Sequence, residues 1–76
     1  MSEQHRRIIE TTVQLQTAFV QALVANDLTE FQRVTQLSAS YFDKQTTSFL
    51  LQSLRSIISP KLAMRLLDFL TKSAND

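Results

Sequence analysis

One histidine, seven carboxylates and no cysteine are the strong bases and metal ligands of this 76-residue sequence. His5 lies near the chain start and reads as a surface residue. A metal site would need two or three further nitrogen, sulfur or clustered carboxylate ligands, and the acids form no i, i+4 pair. Serines and threonines are numerous, but one terminal histidine cannot complete a Ser-His-acid set. Without cysteine there is no thiolate zinc site, disulfide or thiol nucleophile. Without glycine there is no phosphate-cradling loop or dinucleotide turn, both of which need positive φ and close backbone approach. Tyr41 stands beside Phe42 on an apolar stripe and reads as a core or interface side chain. The expectation is a chain with no catalytic, cofactor or metal residues.

The cations offer a weaker possibility. Arg6-Arg7 lie near the N-terminus, and Lys61, Arg65 and Lys72 share one face of a C-terminal helix. Either group could contact phosphate. Asp68 interrupts the second, however, and no aromatic platform for single-stranded bases adjoins it. Net charge is +1, with eight basic and seven acidic residues scattered along the chain. A solvated face is the simpler reading, and nucleic acid is not the expected partner. No apolar run reaches membrane-spanning length and no signal-peptide core is present, so a soluble cytoplasmic protein is expected.

The elements behind these residues read as helices. The lack of glycine also removes the usual hairpin turns, which argues for an all-α chain. Residues 1–76 make one domain. A chain this short buries only about 60% of its unfolded surface, and without covalent staples it gains stability by oligomerising. The first helix spans about residues 4–25. Ile8, Ile9, Val13, Phe19, Val20, Leu23 and Val24 form a broad stripe, which suits packing against more than one neighbour. Gln16 lies within it, either as a partly exposed edge residue or as a buried polar group fixing register or oligomer state.

The middle stretch opens with Asn26-Asp27-Leu28-Thr29-Glu30, a capping-box pattern in which Asp27 and Glu30 each accept from the other's backbone N–H. It closes at Ser59-Pro60, where a new helix begins. At about 100° per residue, Phe31, Val34, Leu37, Tyr41 and Phe42 share one face, while Leu50, Leu54, Ile57 and Ile58 share another about 150° away. Phe49 lies between them. Either the helix breaks near residues 43–47, capped by Asp43 or Thr46, or one helix over 28–58 faces two neighbours. Because no glycine or proline marks a break, a continuous, bent helix is favoured. The third helix spans about 60–72, and residues 73–76 should fray. The result is a small three-helix antiparallel arrangement, elongated around a central helix of roughly 45 Å and completed by oligomerisation.

From residue 29 to residue 59, serine, threonine and glutamine outnumber charged residues severalfold. Such groups are buried at lower cost than charges, so this surface suits contact with another chain. The candidate interface comprises Gln16, Phe31, Tyr41, Phe42, Phe49, Leu50, Leu54 and Ile57. The function expected is a non-enzymatic helical protein–protein interaction module, an adaptor, regulator or assembly subunit acting as a homo-oligomer.

The run from Ala25 to Gln32 (ANDLTEFQ), followed by Tyr41 and a Gln/Ser/Thr-rich helix, resembles phasins, which coat storage granules. The resemblance covers roughly residues 13–55 and implies surface coating. That is the alternative function, with contact to a lipid or polymer surface, or to nucleic acid, through the basic face of Lys61, Arg65 and Lys72. Insertion into a membrane is not expected.

Overall fold

A computed structural model describes residues 3–74, with Ala74 described by its backbone alone. The described residues form four helices: α1 (Glu3–Val24), α2 (Leu28–Tyr41), α3 (Lys44–Arg55) and α4 (Pro60–Ala74). The all-helical architecture matches the sequence reading. The long central helix does not, because residues 28–58 hold two helices joined by an elbow at Phe42 and Asp43.

Burial explains the elbow. The side chains buried on α2 are Phe31, Val34 and Ser38, and those on α3 are Thr47, Leu50, Leu51 and Leu54. On one straight helix these two sets would point in opposite directions, about 180° apart at 100° per residue. A single chain can bury both in one core only by breaking between them. Phe42 (φ −120°, ψ −163°) and Asp43 (φ −102°, ψ 177°) are both extended. The Asp43 carboxylate accepts from the Thr46 N–H at 2.6 Å, capping α3. Across the elbow, the buried Ser38 and Thr47 hydroxyls share a hydrogen bond of 2.8 Å.

The other junctions are closed by local chemistry. Asn26 takes the left-handed conformation (φ 55°) that glycine usually supplies after a helix. The Asp27 N–H then donates to the Ala22 carbonyl at 2.9 Å and the Asn26 N–H to the Leu23 carbonyl at 3.2 Å. The Asp27 carboxylate accepts from the Glu30 N–H at 3.0 Å, so the expected cap forms. Its reciprocal half does not, since the Asp27 N–H is already committed and the Glu30 carboxylate accepts from Arg33 Nε at 3.0 Å. Ser59 Oγ accepts from the Leu62 N–H at 3.3 Å, as a cap for α4 should. α3 stops at Arg55, earlier than expected, and Ser56 and Ile57 turn back onto the Ser53 and Leu54 carbonyls. α4 continues through Ala74, so Ser73 belongs to the helix; Asn75 and Asp76 of the expected frayed tail lie outside the described residues.

α2 packs against each of the other helices. At its N-terminal end three rings interlock, Phe31 of α2 lying 5.4 Å from Phe19 of α1 and 5.3 Å from Phe69 of α4 between centroids, tilted and edge-on. Leu23, Val34 and Leu66 close around them, and α3 joins through Leu50, Leu51 and Leu54. The extents are 37 × 26 × 19 Å and the radius of gyration is 12.4 Å, close to the roughly 11 Å of a compact chain this size. Folding at the elbow replaces the elongated form expected from a straight central helix. α1 has 22 residues and α2 has 14. Residues 3–10 of α1 are accordingly all exposed.

Candidate interaction surface

α1 and α3 flank an open groove of about 520 Å³. Ile8, Thr12 and Gln16 line it from α1, Thr46, Phe49, Leu50 and Ser53 from α3, and Phe42 from the elbow. The groove is continued at one end by a depression sharing Ile8 and Phe42 and bordered by Arg7 and Tyr41. At the other end it shares Gln16 with a depression lined by Val13, Val20, Leu54 and Ile57. Apolar side chains stand exposed along the margins: Phe49 by 70%, Ile57 by 69%, Tyr41 by 62% and Val13 by 54%. Among the described residues, Arg7 is the one charged side chain lining the groove and its two extensions. Threonine, glutamine and serine supply about half of the remainder, and such groups desolvate more cheaply than charges.

The sequence-derived interface residues fall into three sets. Phe31, Leu50 and Leu54 are buried inside the chain. Phe42 and Gln16 are half-buried, with Gln16 where the main groove meets its extension. Tyr41, Phe49 and Ile57 are exposed. Ile8 and Val13, on the apolar stripe of the first helix, line the groove and its extensions without being among the interface residues expected from the sequence. The signal for them was the width of that stripe, which exceeds what one antiparallel neighbour covers.

The candidate basic face is differently engaged. Lys61 is exposed. Arg65 Nη1 donates to the Leu23 carbonyl at 2.7 Å, and Lys72 Nζ lies 3.1 Å from Asp68 Oδ2. Arg65 therefore caps the C-terminal end of α1, where the macrodipole favours a cation. Its position in α4 gave no hint of this, because the dipole it answers belongs to another helix. His5 is exposed on α1. Among the described residues, no group of three His, Cys, Asp or Glu side chains is placed to hold a metal ion. No helix among them is long and apolar enough to cross a membrane. No family model, curated protein or solved structure matches the chain.

Proposed function

We propose that this chain is a non-enzymatic helical interaction module, an adaptor, regulator or assembly subunit, that acts as a homo-oligomer through the α1–α3 groove. The observation that carries this reading is the run of exposed apolar side chains around a nearly uncharged groove. Fully burying a side chain such as Phe49 or Ile57 contributes about 1.5–3 kcal/mol, a gain the isolated chain forgoes. The alternative through the basic face has less support, since Arg65 and Lys72 already have partners within the chain.

Light scattering across a concentration series tests the reading. Association should appear in the micromolar range, with a melting temperature that rises with protein concentration. Val13→Glu should dissociate the assembly while leaving the fold intact, because Val13 is exposed in the single chain. A wild-type monomer with a concentration-independent melt would overturn it.

A further inference from the structure

The elbow joins two helices with neither glycine nor proline anywhere in residues 28–58. Every residue there, including Phe42 and Asp43, could continue an α-helix at modest propensity cost. The bend is held instead by bonds specific to it, the Asp43 cap and the Ser38–Thr47 hydrogen bond. Within one straight helix, residues 38 and 47 would sit about 13 Å apart along the axis, and that bond could not form inside the chain.

Two features of the bent form are left unfinished. The first is the length of α1, whose exposed residues 3–10 outrun α2. Ile8 lies within about 20° of the azimuth of the buried Leu15 and Phe19, so it continues the inward face of α1 with nothing packed fully over it. The second is Phe49, exposed on α3. On a straight helix through the elbow, Phe49 would share the azimuth of Phe31, with Phe42 about 20° away. All three would then face the side on which α2 meets α1. Straightening would thus extend α2 along the uncovered part of α1 and bring Phe42 and Phe49 over Ile8.

We propose that the elbow opens and that two copies of this chain exchange α3 and α4. In the open form, α2 and α3 make one helix spanning both halves of the dimer. Its two buried faces point in opposite directions, as required when each packs into a different body. The Thr47, Leu50, Leu51 and Leu54 face that α3 gives its own core is given to the partner, and α4 follows it. Exchange reuses the intrachain contacts between chains, so dimerisation loses few of them and gains cover for Ile8 and Phe49. This inference deepens the self-association reading and names the occupant as a second copy.

Two variants separate exchange from a dimer of closed subunits. Because the chain lacks cysteine, Ser38→Cys with Thr47→Cys places one thiol pair where the two hydroxyls now lie 2.8 Å apart. After oxidation of the purified dimer, exchange predicts a covalent dimer on a denaturing, non-reducing gel. A disulfide confined to single chains would overturn exchange. The second variant is Lys44→Pro. Lys44 opens α3 after an extended Asp43, a position proline tolerates in the bent form. In the open form it would break a helix interior in both chains, weakening dimerisation by roughly 100-fold or more. Loss of the dimer in Lys44→Pro, with helicity retained and Val13→Glu without effect, establishes exchange, with the Ile8–Phe49 part of the groove covered in the exchanged dimer rather than by a docked closed subunit. A dimer that survives Lys44→Pro but is lost in Val13→Glu rejects exchange and leaves the groove reading standing.

Discussion

The two ends of α2 are built differently. At its N-terminal end, Phe19, Phe31 and Phe69 interlock, and the helix termini are closed by Asn26, Asp27 and the Arg65 guanidinium. At the elbow end, α3 is attached by leucines, α1 runs on past its neighbour, and grooves remain open beside α3. A 76-residue chain has enough apolar surface to finish one end as a monomer. At the other end, helix length is in surplus, and Ile8, Tyr41 and Phe49 stand exposed there, whereas Ile57 lies beside Val20 toward the ring end. The interlocked rings thus stand at one end of the bundle, and most of the proposed interface at the other.

The contrast can be broken most sharply at the rings. Phe31→Ala removes the side chain that touches both Phe19 and Phe69, and it should cost about 3–5 kcal/mol, much of a small domain's total stability. Phe49→Ala, also a phenylalanine truncation, should barely change the stability of the dilute monomer, since the ring is already in solvent. Urea titrations at low protein concentration measure both. Equal losses would mean that the two ends are not distinct.

How much of this was legible in the sequence varies by residue. The all-helical class, the Asp27 cap and the Ser59-Pro60 boundary rest on local chemistry and could be read directly. The elbow shows in the sequence as a phase change in the apolar pattern, while the absence of glycine and proline points the other way. The phase is the stronger signal, because opposite faces cannot enter one core without a break, whereas an aspartate can cap a new start without any helix breaker. Arg65 was not legible at all, since its partner carbonyl belongs to Leu23, distant in sequence. Of the candidate site, Tyr41, Phe49 and Ile57 are exposed, while Phe31, Leu50 and Leu54 are buried. Apolar identity alone does not separate a core residue from an interface residue.

A smaller effect is expected at the α1–α2 turn. Asn26→Ala places a β-carbon in the left-handed region without the side-chain hydrogen bonding that makes asparagine tolerant there, and it should cost about 1 kcal/mol. Asn26→Gly should be neutral or slightly stabilising at the same position. If both variants melt with the wild type, the turn does not constrain the closed end.

The mildest test concerns acid and the elbow cap. The Thr46 side chain first, and its backbone N–H second, hold the Asp43 carboxyl below its ordinary value of 3.8. A carboxylate with a lowered folded-state pKa stabilises the fold above its unfolded value, and that contribution disappears as pH falls through the folded one. Asp43 should therefore support the elbow fully near neutrality and progressively less below about pH 4. Glu30 is also held low, by its hydrogen bond with Arg33, so the wild-type acid response contains both ends of the molecule. Asp43→Asn separates them, because the amide oxygen can still accept from the Thr46 N–H but does not titrate in this range. Melting temperatures of the two proteins should differ most at neutral pH and converge as the solution is acidified. A constant offset from pH 7 down to pH 2 would show that the charge on Asp43 contributes nothing to holding the bend.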